Sequence, residues 1–331
     1  MFLTTAQPPG RPPLGGRGAG QSRALRPSRG ATMPTIEQVV AGLQDWQGRQ
    51  IEIERLSGGL TNTNFKVTVD GAPYFVRIPG ESTELLAVDR RNEHFNAQAA
   101  ADSGVGPRIL YHLPEFDVMV LEFLKGDTMS NAQLGRPEMP GRIAAAIKRL
   151  HAGKRFLHDF DMFRLTEYYL GVCRERGIPM PEGYPERMPA VKRIEHAISA
   201  HPLATVPCHN DLLAENYMDV SGELRLIDYE YSGNNDPCFE LGNTCQELQY
   251  DEARQRQVCA GYFGTPSDAM LARMKLYMIM SDVGWGLWAA IQAQISNIDY
   301  DFWGWAVERW GRAVQKMDSM DFEDWLVQVQ G

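Results

Sequence analysis

The most constraining feature of the sequence is a pair of polar clusters on either side of a short predicted hairpin. The stretch CHNDLLAEN contains His209, Asp211 and Asn216, and Asp228 follows in LRLIDYEY. Between them lie two strand-like segments joined by a turn at Ser221-Gly222. Because a hairpin brings its two ends to one place, we expect both polar clusters to meet at a single site.

The residue types in these clusters suit the transfer of a phosphoryl group. Such a reaction needs a carboxylate that orients the attacking hydroxyl and accepts its proton, and oxygen ligands that hold Mg²⁺ on the phosphates. Asp211 suits the first task, and Asn216 with Asp228 suits the second. Glu230, on the same strand face as Asp228, could support the metal. The plainer alternative, in which Asp211 and Asn216 only stabilise a turn, stays open.

Residues 34–124 have the pattern of a small antiparallel sheet that carries one main helix. IEIERLSGGLTNTNFKVTVDGAPYFVRIP predicts three short strands, and PRILYHLPEFDVMVLEFL predicts two more. We expect the helix over about residues 85–103, where the GVGP break ends it. A shorter helix over TIEQVVAGLQDW has Thr35 as its expected N-cap.

From residue 125 onward the pattern is mostly helical, with the hairpin embedded in it. We therefore predict an α+β chain with an N-terminal lobe at 33–124 and a larger helical lobe at 125–331. Residues 1–32 contain five arginines, many Pro and Gly, and no acidic residue. That composition predicts a disordered tail, and a transit peptide stays open as an alternative.

Charge and cysteine usage narrow the class of partner. The formal net charge of −9 disfavours nucleic acid, whose phosphates need a basic face. Five scattered cysteines without metal-binding spacing predict reduced thiols in a cytoplasmic protein. The most apolar segment, residues 276–295, contains Asp282, Gln292 and Gln294, so we predict no membrane span.

The two polar clusters carry a resemblance to a known family. HNDLLAEN resembles the catalytic loop of the protein-kinase-like fold, and IDYEYSGNNDPCFELGN resembles its metal-binding segment, in the branch of choline/ethanolamine kinases and aminoglycoside phosphotransferases. The resemblance covers nearly all of residues 50–315 and implies a bilobal fold. It implies Asp211 as catalytic base, Asn216 and Asp228 as Mg²⁺ ligands, and Glu230 as their support.

The sequence departs from the family pattern at one point of this segment. FELGN has Glu240 where the family's F-D-x-G-N has Asp. The extra methylene is expected to shift a contact that supports the catalytic loop, while the catalytic groups themselves are unchanged.

The N-terminal lobe resembles the nucleotide-binding lobe of the same family. LSGGLTNTNFKV resembles the loop over the ATP phosphates, where glycine permits close backbone approach. Arg77 stands where protein kinases carry Lys, with Glu93 as its expected helix partner. VLEFL at 120–124 resembles the hinge whose backbone pairs with adenine. The resemblance implies these ATP-binding residues: Ser57, Gly58, Gly59, Thr61, Asn62, Arg77, Glu93, Glu122 and Leu124.

Aromatic residues of the C-terminal lobe resemble the ligand site of choline kinases. VGWGLWAAIQAQIS places Trp285 and Trp288 three residues apart, on one helical face. A box of rings can hold a quaternary ammonium, which cannot donate a hydrogen bond. The implied substrate residues are Tyr231, Glu247, Trp285, Trp288, Tyr300 and Trp305. Each ring taken singly also fits ordinary core packing, and we interpret Trp303 and Trp310 as packing residues.

Together these features predict a kinase that uses ATP and Mg²⁺ to phosphorylate the hydroxyl of choline. Ethanolamine, thiamine, an aminoglycoside and other amino alcohols stay open as substrates. A non-enzyme alternative is a catalytically inactive relative that binds an ammonium ligand. A protein kinase is disfavoured because D-F-G and A-P-E are missing. The partner is thus predicted to be a small molecule, and a homodimer stays open.

Overall fold

A five-stranded antiparallel sheet and a helical body make up the fold. The computed structural model describes residues 33–56, 62–80, 83–265 and 267–330. The predicted tail at 1–32 and the loop residues Ser57, Gly58, Gly59 and Thr61 lie outside the described residues. The strands are β1 Ile51–Arg55, β2 Asn62–Val69, β3 Ala72–Pro79, β4 Ile109–Leu113, β5 Val118–Glu122, β6 Asp127–Thr128, β7 Val206–Cys208, β8 Tyr217–Val220, β9 Glu223–Leu226 and β10 Gly233–Asn235.

Helices dominate the chain after the sheet. They are α1 Ile36–Gly42, α2 Arg90–Asp102, α3 Asn131–Leu134, α4 Met139–His151, α5 Met162–Arg176, α6 Met188–Ala200, α7 Pro237–Glu247, α8 Glu252–Phe263, α9 Asp268–Ile295, α10 Phe302–Met317 and α11 Asp321–Gln328. Single 3₁₀ turns lie at Gln44–Trp46, Thr83–Leu86, Pro185–Arg187 and Ala214–Asn216. The α+β prediction is confirmed, and the lobe boundary at residue 124 stays a prediction.

The five predicted strands of the N-terminal sheet are present, in the order β1-β2-β3-β5-β4. Alternate residues such as Val67 and Val69 face a buried cluster that also contains α1 residues Ile36 and Val39. This two-residue period is what a sheet with one covered face requires. The β2–β3 turn at Asp70-Gly71 has positive φ at both residues, as tight hairpins prefer.

The two predicted helices of this region begin or end differently from the prediction. Thr35 forms the expected N-cap, but α1 ends at Gly42 and one 3₁₀ turn follows. The predicted start of the main helix near residue 85 is wrong: α2 begins at Arg90. The side chain of Asp89 accepts the N–H groups of Arg91 and Asn92 there, which fixes the start of the helix.

The predicted hairpin is present as β8–β9, with positive φ at Ser221 and Gly222. The short strand β6 adds to its edge. The prediction missed a second ribbon, in which β7 pairs with β10. Each of these strands has only three residues, and Gly233–Asn235 contains no β-branched side chain, so the local sequence gave no strand signal.

The apolar segment at 276–295 belongs to α9, a core helix. Its residues from Leu271 to Gln292 are almost all buried against α5, α7 and α10. Within the described ranges, no helix is long and apolar enough to cross a membrane. All five cysteines are buried free thiols.

Close contact between α7 and α9 generates a stability prediction for Gly242. A Cβ at this position would lie 2.5 Å from the backbone oxygen of Met274, which cannot move without distorting α9. We expect Gly242→Ala to lower the free energy of unfolding by about 1–3 kcal/mol through overpacking. Urea unfolding would measure the change.

Gly171→Ala is the matched control, because Gly171 also lies inside a helix. Nothing lies within 4 Å of its added Cβ. We expect this variant to gain up to about 1 kcal/mol from helix propensity. Equal stability of the two variants would show that the α7–α9 contact is not as close as described.

Candidate active site

The loop between β7 and β8 carries the predicted catalytic residue, and a buried carboxylate holds it in place. The Glu240 carboxylate accepts the backbone N–H of His209 at 2.8 Å and of Asn210 at 2.6 Å. Burial would raise the pKa of Glu240, but its hydrogen bonds and the nearby His151 outweigh that effect and lower it. The glutamate at this position thus contacts the loop directly, as a supporting residue must.

Two further contacts fix the shape of this loop. The ring of His209 bonds the backbone oxygen of Ile227 at 2.8 Å. Burial lowers the pKa of His209, which favours the neutral ring. Asn210 has a φ of 68°, and its side-chain amide donates to the backbone oxygen of Tyr231 at 3.0 Å. His209 therefore helps to hold the loop in place.

The loop opens onto a cleft of about 510 Å³. The cleft brings together the two polar clusters and the aromatic residues that the sequence singled out. Ten predicted site residues line it: Asp211, Asn216, Asp228, Glu230, Tyr231, Glu247, Trp285, Trp288, Tyr300 and Trp305. Among its other lining residues are Glu215, Glu308, Arg309 and Arg312.

The predicted phosphoryl-transfer residues, Asp211, Asn216 and Asp228, interact with one another in this cleft through a hydrogen bond and through charge. The amide nitrogen of Asn216 donates to the backbone oxygen of Asp211 at 2.7 Å, which leaves its amide oxygen as the atom suited to a cation. Burial, followed by the charges of Glu247 and Asp228, raises the pKa of Asp211 well above its usual range. A bound cation would reverse that effect and favour the ionised carboxylate.

Asp228 ends the hairpin with a φ of 70°, in the left-handed region. Burial and the neighbouring Glu230 raise the pKa of Asp228 to about 6, although Arg77 opposes the shift. Arg77 lies 2.8 Å from the Asp228 carboxylate and also pairs with Glu93. Both Arg77 and Glu93 are buried, so the expected Arg77–Glu93 pair is not a surface contact.

A second arginine, which the sequence analysis missed, joins this network. Arg90 is 2.8 Å from Glu93 and 2.5 Å from Glu230. Asn62 donates to Glu230 at 2.8 Å, so its amide holds a carboxylate. The available signal was the spacing of Arg90, three residues before Glu93 on one helix face.

The oxygen atoms around Asp228 suit a small hard cation. Carboxylate oxygens of Glu93, Asp228 and Glu230 lie within 4.8 Å of one another. Asn216 adds an amide oxygen to the same cleft. Mg²⁺ prefers oxygen ligands of this kind, and the set therefore fits the predicted ion, with Glu93 as an additional candidate.

The predicted hinge residues Glu122 and Leu124 lie apart from the carboxylate cluster, and contacts within the protein already engage Glu122. The Glu122 side chain bonds Arg108 at 2.9 Å and Arg225 at 3.3 Å, and its backbone N–H bonds the Arg108 oxygen. That N–H is therefore already used within the sheet. Leu124 is half-buried and does not line the cleft described above.

One part of the aromatic wall is built from α9 and the segment after Asp228. The Tyr231 and Trp285 ring centroids are 4.8 Å apart, edge to face. The Trp288 indole N–H donates to the Tyr231 hydroxyl at 2.6 Å, and the Trp285 N–H donates to Asn243 at 3.1 Å. Both indole donors are thus used inside the protein.

The remaining rings come from the start of α10 and the segment before it. Trp305 packs edge to face against Trp288 at 5.9 Å and against Tyr300 at 6.0 Å. Tyr300 is 48% exposed and lies at the mouth of the cleft. The interpretation of Trp303 as a packing residue is wrong, because its side chain is 40% exposed. Trp310 does pack, stacked on Tyr184 at 4.2 Å.

Glu247 lies on the cleft wall but is already paired. One guanidinium nitrogen of Arg309 lies 2.7 Å from each Glu247 oxygen. Arg309 also contacts the fully buried Asp282 at 3.4 Å and lies over the Trp305 ring. The sequence analysis missed Arg309, although its spacing of four residues from Trp305 places both on one helix face.

Known proteins resemble this chain over most of its length. The sequence model of the choline/ethanolamine kinase family matches residues 53–261. A choline/ethanolamine kinase family protein from Mesorhizobium loti is 33% identical, with 88% of this chain and 96% of that chain covered and a TM-score of 0.77. Choline kinase LicA from Streptococcus pneumoniae is 25% identical, with 85% and 98% covered and a TM-score of 0.73.

A curated relative carries the name of the other substrate. Ethanolamine kinase 1 from Mus musculus is 27% identical over 311 residues, which cover 81% of this chain and 84% of that protein. The similar structures confirm the predicted fold class. The relatives are named for both alcohols, so their names leave the choice between choline and ethanolamine open.

The contacts of Glu240 generate a prediction that does not depend on the substrate. In Glu240→Gln, one of the two loop N–H groups faces an amide NH₂ group and loses its acceptor. We expect the free energy of unfolding to fall by about 2–3 kcal/mol, as for a lost hydrogen bond to a charged group. Glu223→Gln, at an exposed surface position, should change it by less than about 0.5 kcal/mol. Similar losses in both variants, measured by urea unfolding, would rule out this role of Glu240.

Proposed function

Because the chain belongs to the choline/ethanolamine kinase family, whose members transfer phosphate to an alcohol hydroxyl, we propose that its own substrate is choline. In this proposal the γ-phosphate of ATP passes to the choline hydroxyl and the product is phosphocholine. The single observation that supports choline is the aromatic wall, in which the indole donors of Trp285 and Trp288 are used inside the protein.

Asp211 is the proposed general base of this reaction. It lines the same cleft as Asp228, Glu230 and the aromatic residues, which supports this role. The substrate hydroxyl would donate its proton to Asp211 as its oxygen attacks the phosphate. The loop contacts of Glu240 keep this carboxylate in place, because they fix the two backbone units before it.

The carboxylate cluster is the proposed nucleotide end of the cleft. Asn216, Asp228 and Glu230 would hold Mg²⁺, which when bound neutralises charge on the transferred phosphate. Arg77 and Arg90 lie against these carboxylates and would be the nearest cations for phosphate oxygens. The loop with Ser57, Gly58, Gly59, Thr61 and Asn62, and the hinge at 120–124, are proposed to cover the phosphates and the adenine.

The choice of choline follows from what each ammonium head requires. A primary ammonium carries three N–H donors that need oxygen acceptors when it leaves water. A trimethylated ammonium needs none, and each ring face contributes about 0.5–2 kcal/mol to holding it. The Tyr231 hydroxyl already accepts a hydrogen bond from the indole N–H of Trp288. The carboxylate oxygens of Glu247 already accept hydrogen bonds from Arg309.

Ethanolamine is the second candidate, and one observation favours it. Glu215 and Glu308 are exposed carboxylates that line the cleft, and each offers oxygen acceptors to a primary ammonium. Of these, Glu308 is partly engaged by Arg312 at 2.8 Å. Thiamine and an aminoglycoside stay alternatives with no contact in the described cleft that favours them specifically.

A substrate panel tests the proposal. Purified protein with ATP and Mg²⁺ is offered choline, ethanolamine, thiamine and an aminoglycoside, and alcohol-dependent ADP release is measured. We expect kcat/KM for choline to exceed that for ethanolamine by about tenfold or more. Asp211→Asn, as the inactive control, should reduce kcat by at least about 100-fold. Faster turnover of another alcohol would overturn the choline assignment, and no turnover of any would favour an inactive ammonium-binding relative.

Trp288 allows a separate test of the aromatic wall. We expect Trp288→Ala to raise the choline KM by about tenfold or more and the ATP KM by less than about threefold, since only the ammonium head loses a ring. Trp303→Ala is the matched control, because that ring is exposed and does not line the cleft. Equal increases of both KM values in Trp288→Ala would make Trp288 a packing residue.

A further inference from the structure

Arg309 is a buried cation inside the wall of a cleft proposed to bind another cation. Its side chain is 1% exposed, although it comes from α10 at the edge of the cleft. A buried arginine of this kind needs carboxylate partners, and it has two, Glu247 and Asp282. Its presence beside an ammonium site therefore needs a physical explanation.

The first consequence of Arg309 concerns hydrogen-bond acceptors. The same Arg309 nitrogen is 2.7 Å from both oxygens of Glu247, the acidic residue next to the rings. A carboxylate engaged in this way attracts a ligand cation less strongly, because the two charges offset each other at short range. It also offers a primary ammonium fewer lone pairs, whereas a methylated ammonium needs no lone pairs.

The second consequence concerns the position of a ring. The Arg309 guanidinium carbon lies 4.3 Å from the centroid of the Trp305 ring. This contact helps to keep the Trp305 ring perpendicular to the rings of Trp288 and Tyr300, with interplanar angles of 89° and 88°. A ring that cannot turn presents a fixed surface to methyl groups.

The network behind Arg309 keeps it from moving away. Asp282 is fully buried and also accepts from Gln246 at 2.6 Å and from Arg312 at 2.6 Å. If Arg309 swung out, it would leave the Glu247 carboxylate unpaired in a largely buried position, at a high desolvation cost. Arg309 is thus a permanent part of the wall.

We propose that Arg309 determines head-group specificity: by engaging Glu247 and fixing Trp305, it makes the cleft select a methylated ammonium over a primary one. This inference rests on the proposed function, because it assigns a selectivity to the same cleft. Arg309 acts through Glu247 and Trp305, and it is therefore a positioning residue.

Binding of two probe cations, tetramethylammonium and methylammonium, tests this role without turnover. Calorimetry gives the ratio of their dissociation constants for the wild-type protein and for Arg309→Met, which has a similar length and no charge. We expect the ratio to shift toward methylammonium by about tenfold, because Glu247 becomes a free acceptor. The double variant Arg309→Met/Glu247→Gln should recover the part of the shift that comes from Glu247, and the part that remains measures the lost contact with Trp305.

Two further variants keep the test decisive if Arg309→Met fails to fold. Arg309→Lys retains the charge but cannot present the planar guanidinium, so the ratio should shift the same way by about threefold. Arg273→Lys is the matched control, since Arg273 is likewise buried, pairs with the buried Asp236 and lies over the Tyr277 ring, and none of these three residues lines the cleft. Its ratio should not change.

The outcomes separate this inference from the proposed function. An unchanged ratio in the Arg309 variants, or an equal loss of both cations, would overturn the role of Arg309. If the wild-type protein phosphorylates neither choline nor ethanolamine, the proposed function fails. The ratio of the two cation affinities would still decide whether Arg309 sets the selectivity of the cleft.

Discussion

The cleft depends on one physical constraint: a carboxylate that leaves water must find donors or a cation. Glu240 satisfies it with two backbone N–H groups, and in doing so fixes the loop that presents Asp211. Because the loop leads directly into β8, the same contact also helps to position the start of the β8–β9 hairpin. The supporting glutamate therefore links α7 to the position of the proposed base.

The same constraint explains why arginines are prominent on both sides of Asp211. On one side Arg77 and Arg90 balance the carboxylates Asp228, Glu230 and Glu93. On the other side Arg309 and Arg312 balance Glu247 and Asp282. The difference lies in what a ligand can offer: a metal with phosphates can replace the pairing on the first side, whereas an organic cation with no donors can leave the second pairing intact.

The resemblance to a kinase family implied the aromatic residues that line the cleft. The sequence pattern itself predicted the α+β class, the five strands, the β8–β9 hairpin and the meeting of the two polar clusters. These features depend on local periodicity, turn chemistry and the geometry of a hairpin. It did not predict the β7–β10 ribbon or the start of α2, because short strands and caps are decided by tertiary contacts. Arg90 and Arg309 were missed because an arginine in a helix usually faces solvent.

Recognition of the ammonium head is therefore a competition between rings and oxygen atoms. The rings contribute to any cation, but they favour one whose hydration is weak, while oxygen atoms favour a head with N–H donors. A site can prefer methyl groups either by adding rings or by withholding oxygen atoms. The proposed choline site would use the second route, since the Tyr231 hydroxyl accepts from Trp288 and Glu247 accepts from Arg309. In this proposal, the selectivity between two related alcohols resides in contacts that never touch the substrate.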